Sequence, residues 1–291
     1  MFSLVDLTPF LVQAFVGLYK GSLYWILALG LVLIFGVVRV INFAHAAFYV
    51  TGSYLMYTFY AYTGNFIASL LTTMILMGAL GAIVEIAIIR RVYKLETVYQ
   101  LLATFGVALI ANEAQKLVWG KGVIYVSIPE ILSRGVSVGG IIINYYMALI
   151  IVIGFLLFIA ITIFMNHTLT GLRIRAVWRD PVMSEALGIN TRLLYTLVFF
   201  IGTALAGLGG ALTVPLISVG PGLADYLIVT AFIIVVIAGL GSITGAYIVA
   251  MVVGVFSSIL ILIVPELDIV ILYIIATLIL LFRPQGLFGE R

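Results

Sequence analysis

The chain has 291 residues, of which 65% are hydrophobic and only 9% are charged. A soluble domain is typically about 45–50% apolar and about 25% charged, so this chain carries too much apolar surface for a water-soluble particle of its length. The composition excludes a cytosolic enzyme and a disordered chain, and the absence of cysteine excludes a disulfide scaffold. It indicates a polytopic membrane protein.

Long stretches without charge mark the predicted membrane segments, because a charge at bilayer depth is costly. No Asp, Glu, Lys or Arg occurs between Arg39 and Glu85, or between Arg134 and Arg173. A transmembrane helix needs about 20 apolar residues, so the chain holds at most roughly ten. The predicted segments are 22–38, 45–63, 66–89, 100–118, 145–165, 193–218, 226–238, 246–264 and 269–282. A tenth segment, 9–19, is short enough to be interfacial or half-inserted.

The distribution of Lys and Arg predicts the sidedness of the chain. Basic residues gather in the loops 90–99 and 166–192 and in the C-terminal tail at Arg283 and Arg291, whereas the loop 119–144 has few. The three basic regions fall on one side, which we assign to the cytoplasm together with the C-terminus. The predicted fold is an all-α polytopic membrane protein with about 8–10 transmembrane helices, some broken or short. It forms a single domain over residues 1–291.

Glycine occurs 29 times, and several glycines have small-xxx-small spacing. The segments 17–21, 202–206 and 241–245 are examples. Small residues let transmembrane helices approach closely. We interpret these segments as intramolecular helix packing, with a dimer seam as the alternative.

Sequence motifs of catalysis are absent. The chain has no H-E-x-x-H, no G-x-S-x-G and no Walker A loop, since Gly120-Lys121 is followed by Gly122 and not by Ser or Thr. His45 and His167 cannot build a zinc site alone. The sequence therefore predicts neither a catalytic residue nor a metal site in this chain, and any ATP hydrolysis must come from a partner.

Polar residues at membrane depth are candidates for function. Asn42 and His45 open one long apolar segment; Asn42 could cap the helix that follows, and a pathway or gating role is the alternative. Asn112 and Glu113 lie near the outer end of another segment. A solvated face or pairing with Lys116 is the simpler interpretation there, and a pore-lining role is the alternative.

One carboxylate lies at the inner end of a long apolar segment. Glu85 stands five residues before Arg90. We expect it to snorkel, or to pair with Arg90 or Arg91 near the interface, in a structural role.

The loop 166–192 contains the signals of a short capped helix. Asp180 followed by Pro181 is a favourable N-cap and first helical residue, and Gly188 is a favourable residue just past the C-terminus. The pattern predicts a helix over 182–187. A short helix exposed between two membrane spans is suited to docking a partner, and a helix lying on lipid headgroups is the alternative.

Motifs along the chain resemble, in order, those of permeases of branched-chain amino-acid ABC importers. The stretch 36–45 is similar to the family's G-x-x-x-x-I-N-F-A-H motif, although Ala46, Ala47 and Phe48 follow where the family usually has glycine and an acidic residue. Further matches are Glu85, the loop residues 176–190, the span 199–210, the glycine-rich turn 231–246 and the tail 281–289. The resemblance covers about residues 17–289.

The resemblance implies a translocation subunit in a bacterial or archaeal plasma or inner membrane. Its implied partners are a second permease (a homologous hetero-partner rather than a second copy), two ATP-binding cassette subunits that bind ATP and magnesium, and an extracytoplasmic substrate-binding protein. The chain is expected to contact the lipid bilayer. It is expected to bind neither a nucleic acid nor a cofactor. The expected solute is a branched-chain or other amino acid. Urea, short amides or aromatic acids are the alternative, and an ion-coupled secondary transporter using Glu113 is a second one.

Two groups of site residues follow from this interpretation. The glycine-rich turns in 42–53 and 239–245 look like corresponding elements of two related halves, and broken helices at matched positions mark transport sites. The expected pathway or gate residues are Asn42, His45, Asn112, Glu113, Ser242 and Thr244. The expected ATPase-coupling residues are Arg175, Arg179, Asp180, Glu185, Ala186 and Gly188.

Overall fold

The computed structural model describes residues 8–138, 141–264 and 268–289. The chain is helical because backbone groups in hydrocarbon have no water to bond and must be satisfied within each segment. The helices are α1 (Thr8–Val38), α2 (His45–Thr63), α3 (Phe66–Val84), a π-helical turn (Glu85–Ile89), α4 (Arg90–Val92), α5 (Thr97–Trp119), α6 (Glu130–Ser133), α7 (Tyr145–His167), α8 (Leu169–Arg179), α9 (Pro181–Ala186), α10 (Thr191–Thr213), α11 (Leu223–Ala238), α12 (Ile243–Ile263) and α13 (Asp268–Phe282).

Six continuous helical stretches are long and apolar enough to cross a membrane within the described residues. They are Thr8–Val38, Phe66–Val92, Thr97–Trp119, Tyr145–His167, Thr191–Thr213 and Ile243–Ile263. Leu223–Ala238 and Leu272–Phe282 are shorter apolar helices, and α2 adds a further helix of 19 residues. The polytopic, essentially all-helical fold is therefore confirmed.

Helix α1 is longer than the sequence suggested. It has 31 residues and joins the segments 9–19 and 22–38, because Lys20 and Gly21 between them do not interrupt it. At 1.5 Å per residue it extends for about 46 Å, whereas the hydrocarbon core is about 30 Å thick. The segment 9–19 is thus the first part of a long helix and not a separate interfacial piece.

Helix α1 is also the centre of the packing. Its face is buried by α12, α10, α7 and α11 together, and α10 in turn packs on α2 and α3. The indole of Trp25 is fully buried, donates to the carbonyl oxygen of Gly154 in α7 over 3.1 Å, and meets Tyr247 of α12 edge-on. One side chain therefore holds three helices together.

Glycines bring α1 and α12 into backbone contact. A Cβ atom on Gly17 would clash with Val255 and lie 2.7 Å from the carbonyl oxygen of Gly254, and one on Gly21 would lie 2.8 Å from that of Ala250. The small residues of 17–21 thus pack within the chain, which confirms our interpretation over a dimer seam. The glycine of 202–206 is likewise buried, against Ile34 of α1.

The loops gather at two opposite ends of the bundle. At one end Arg39 contacts Trp178 of α8, and Arg90 of α4 contacts α10. The backbone of the tail bonds there to the end of α11, with Leu287 N–H to Ile237 over 2.8 Å. The basic regions therefore lie together, as far as the structure describes them; Arg291 falls outside the described residues.

The opposite end carries the two short strands found in the described residues. Strands β1 (Gly135–Val138) and β2 (Ile141–Asn144) pair antiparallel, with Gly135 opposite Asn144. An isolated bridge joins Ile124 to Val219. The loop 119–144 thus packs on the segment between α10 and α11.

Candidate functional site

The chain turns back on itself after α1. Arg39 has φ +58°, the one non-glycine residue in the described ranges with a left-handed backbone, and its side chain is held by the carbonyl oxygen of Trp178 at 2.9 Å. Such a conformation costs about 1–3 kcal/mol and persists only where its surroundings fix it. Asn42 then accepts a hydrogen bond from the amide of Ala44 over 3.1 Å. The N-cap position of α2 is Ala44, and no side chain caps the helix, so the expectation that Asn42 caps α2 is wrong; its bond closes the turn ahead of the helix.

His45 joins α2 to α1. Its ring is fully buried, and Nε2 donates to the carbonyl oxygen of Leu27 over 3.1 Å. The ring covers Gly30, where a Cβ atom would lie 2.7 Å from Cε1 and clash with Gly202 of α10. The Nδ1 atom of His45 and the Nδ2 atom of Asn42 are buried without a partner. His45 therefore lies in the packed junction of α1, α2 and α10, and Asn42 is buried in the turn just ahead of it.

A second tight turn precedes α12. Gly239 and Gly241 have φ of +96° and +90°, and the hydroxyl of Ser242 accepts from the amide of Gly245 over 3.1 Å to cap the helix. Thr244 is exposed. Both turns contain a left-handed residue, but α12 has a side-chain cap and α2 has none.

The two turns do not form one cluster of polar side chains. Gly241 packs against Trp178, and Ser242 lines a cavity with Trp178 and Arg179, beside the loop 166–192. His45 is instead buried against the middle of α1.

Asn112 and Glu113 face in different directions on α5. Asn112 lines a small pocket of about 50 Å³ that also includes Asp225. The side chain of Glu113 is 66% exposed and pairs with Lys116, with Nζ 2.6 Å from Oε1, which matches the simpler of our two interpretations. Gln115 is buried and donates to the carbonyl oxygen of Ala47 over 3.1 Å, so that it ties α5 to α2.

The buried carboxylate of Glu85 forms the centre of a polar cluster. Glu85 is 0% exposed and accepts from Nε and Nη2 of Arg90 over 3.0 and 2.7 Å, which confirms the expected pairing. Tyr93 and Thr196 each donate to it over 2.8 Å. Burial and the neighbouring carboxylate raise the pKa of Tyr93, so its hydroxyl remains a donor. The cluster ties α3 and α4 to α10.

The short helix predicted in the loop 166–192 is present. Helix α9 begins at Pro181, one residue earlier than predicted, and Asp180 accepts from the amide of Met183 over 2.9 Å. Gly188 has φ +83°, and the amide of Ile189 bonds back to the carbonyl oxygen of Ser184 over 3.0 Å. Both ends of α9 are capped as the sequence indicated.

The loop is anchored to several membrane helices. Arg175 donates to Asn166 over 2.6 Å and to the carbonyl oxygen of Met165 at the end of α7. Glu185 accepts from Thr191, the first residue of α10. Arg179 and Ala186 are exposed. The anchors hold α8 and leave α9 projecting, with Val182 79% exposed and Leu187 75% exposed.

Long apolar helices, joined by tight turns and by an anchored loop between α7 and α10, define a polytopic integral membrane protein. The family model for the branched-chain amino acid transport system permease component matches residues 13–281. The chain belongs to this family of polytopic ABC importer components.

Characterised relatives match over nearly the whole chain. The high-affinity branched-chain amino acid transport system permease protein BraD of Pseudomonas aeruginosa is 29% identical, over 98% of this chain and 97% of its own length. The high-affinity branched-chain amino acid transport system permease protein LivH of Escherichia coli K12 is also 29% identical, over 97% of this chain and 96% of its own length. The probable branched-chain amino acid transport permease protein LivH of Methanocaldococcus jannaschii is 23% identical, over 82% of this chain and 78% of its own length. No solved structure matches.

Proposed function

We propose that the chain is the translocation subunit of an importer for branched-chain amino acids. An external binding protein delivers the solute, and two partner ATPases supply the energy. The projecting helix α9 carries this proposal, because an exposed apolar helix held by fixed anchors is suited to receiving force from a partner. The names of the relatives BraD and LivH support the solute class.

The anchors define how movement of α9 reaches the membrane. Glu185 links α9 to α10, and Arg175 links α8 to α7. Arg39 links α8 to the end of α1. An ATPase that pushes α9 on closing would thus displace three membrane helices together and shift the subunit between outward- and inward-facing states. ATP and magnesium bind to the ATPases, and this chain contributes no cofactor.

The pathway residues have two distinct positions in this proposal. Asn42 and His45 act at a buried junction that must loosen for the solute to pass, whereas Ser242 and Thr244 act at the end near the coupling loop. Asn112 and Glu113 lie towards the opposite end. The pathway runs beside a homologous second permease, and the end with α8, α9 and the C-terminus faces the cytoplasm.

Co-purification with the ATPases tests the coupling role. Val182→Asp and Leu187→Asp place charge on the exposed face of α9, so we expect ATPase subunits to be lost from the purified complex and leucine uptake to stop. Ile131→Asp is the matched control, because Ile131 is equally exposed at the opposite end of the molecule. Size-exclusion profiles verify that each variant is folded.

Two results would refute the proposed function. One is full retention of the ATPases by both α9 variants. The other is leucine uptake by vesicles that contain the permeases and no ATPase.

A further inference from the structure

A basic cavity of about 640 Å³ lies where α8 meets the end of α1, the end of α11 and the C-terminal tail. Three arginines line it: Arg39, Arg175 and Arg179. Trp178 contributes an indole ring to the cavity wall, and Gln285 contributes an amide. No acidic side chain of the described residues lines this cavity, so its field is positive and favours an anion.

The three guanidinium groups are not neutralised by carboxylates of the described ranges. The ion pairs found there are Glu85–Arg90 and Glu113–Lys116. Arg39 donates a hydrogen bond to a backbone carbonyl oxygen, and Arg175 donates one to an amide oxygen. These bonds fix the positions of the two side chains, but neutral acceptors leave the positive charges uncompensated. A guanidinium presents several N–H groups in a planar fork that matches phosphate oxygens. The cavity is therefore suited to a phosphate group.

An apolar groove of about 460 Å³ adjoins this cavity. Side chains of α1, α5, α11 and the turn after α1 line it, all of them apolar, and Val236 and Leu240 line both the groove and the cavity. The groove reaches Val229, nine residues before the end of α11, which is about 14 Å of helix. Half of a hydrocarbon core is about 15 Å thick, so the groove matches the depth of one leaflet.

We propose that the cavity and the groove together bind one anionic phospholipid. The phosphate lies among Arg39, Arg175 and Arg179, and an acyl chain lies along the groove past Phe232 towards Val229. Basic pockets between membrane helices bind such headgroups. An amino acid has a carboxylate for the arginines, but its side chain would fill only a small part of the groove. The inference depends neither on the transported solute nor on the side that faces the cytoplasm.

Such a lipid would contact the coupling loop and the membrane helices at once. Its headgroup would touch α8 through Arg175 and Arg179, and its chain would touch α11 and α1. The anionic lipid content of the membrane would then influence how firmly α8 is seated on the bundle.

Native mass spectrometry of the full-length chain tests the headgroup contact. The protein is purified in detergent and offered dioleoyl phosphatidylglycerol or dioleoyl phosphatidylcholine. We expect wild type to retain phosphatidylglycerol preferentially, and Arg179→Gln to weaken retention about fivefold, with a similar further loss in Arg39→Gln/Arg179→Gln. Arg173→Gln is the control, because Arg173 is exposed on the same helix but is not among the cavity-lining residues.

A groove variant distinguishes a lipid from a free anion. Val229→Trp fills the end of the groove far from the arginines, so it should weaken dioleoyl phosphatidylglycerol and leave the short-chain dihexanoyl lipid unaffected. Inorganic phosphate should displace the dioleoyl lipid poorly.

Three results would overturn the proposal. Equal retention by Arg179→Gln and Arg173→Gln would remove the headgroup site. Ready displacement by inorganic phosphate, with no effect of Val229→Trp, would indicate a free-anion site. Displacement by leucine would assign the cavity to the solute.

Discussion

The Nε2 atom of His45 donates to the carbonyl oxygen of Leu27, and this hydrogen bond places the start of α2 beside the middle of α1. Leu27 lies eleven residues before the end of α1, or about 16 Å along the helix. Helix α2 therefore begins within the bundle, beside α1. The backbone of the turn is satisfied within the protein, for example by Thr104, which donates to the carbonyl oxygen of Ile41 over 3.1 Å.

His45→Ala should reduce solute uptake at unchanged expression, and Asn42→Ala should do the same. Asn42→Ala leaves the amide of Ala44 without its partner, at a cost of about 1–3 kcal/mol. His45→Ala removes the buried ring that ties α2 to Leu27 of α1 and leaves a cavity in its place. Uptake of labelled leucine, normalised to the amount of protein in the membrane, is the measurement. His167→Ala is the control, because His167 is exposed at the end of α7. Normal uptake in both junction variants would remove the two residues from the pathway.

Gly30→Ala should destabilise the protein, because its Cβ atom would meet the His45 ring and the backbone of α10. Overpacking of this kind costs about 1–3 kcal/mol. Thermal melting in detergent should show a clear drop in Tm. Gly106→Ala provides the comparison: Gly106 lies in α5 with open space around it, so alanine should leave Tm unchanged or raise it. An equal change of Tm in the two variants would contradict the close packing of α1 and α10.

Removing Glu85 should cost far more stability than removing Glu113. Glu85→Ala leaves Tyr93 and Thr196 without their shared acceptor, at a cost of about 1–3 kcal/mol for each donor left unsatisfied, and removes the carboxylate that pairs with Arg90. The exposed pair of Glu113 with Lys116 contributes only about 0.2–1 kcal/mol. Denaturation midpoints of the two alanine variants give the comparison, and similar midpoints would argue against a buried cluster.

The cap of α9 should control the order of the coupling helix. Asp180→Ala removes the acceptor for the amide of Met183 and costs about 1 kcal/mol, whereas Asp180→Asn keeps a good cap. Hydrogen exchange of the amides in residues 182–186 should therefore quicken in the alanine variant and stay slow in the asparagine variant. Equally fast exchange in both variants would mean that the charge of Asp180, and not its capping bond, holds the helix.

The sequence predicted those features of the structure that depend on residues close together in the chain. The caps of α9 and the pairing of Glu85 with Arg90 involve residues at most a few positions apart, so their geometry follows from helix rules. Helix α1 was harder to delimit, because hydropathy falls at Lys20 while the backbone bonds continue unbroken.

Contacts between residues far apart in the chain could not be predicted from local sequence patterns. Thr196 is 111 positions from the carboxylate of Glu85 that it bonds, and nothing in the sequence marks that pairing. The basic cavity likewise draws its arginines from the end of α1 and from α8, which only the folded bundle brings together. The position of Ser242 beside the loop 166–192 was also not visible in the sequence, because it arises from packing of the turn before α12 on Trp178.

The glycine contacts between α1 and α12 restrict how this subunit can move. Where main chain touches main chain, no side chains lie between the helices to change rotamer, so neither helix can slide without opening a void or a clash. The pair must therefore shift as a single rigid body. Relative displacement during transport is left to helices seated less closely, such as α5, most of whose surface lies outside the core of the bundle.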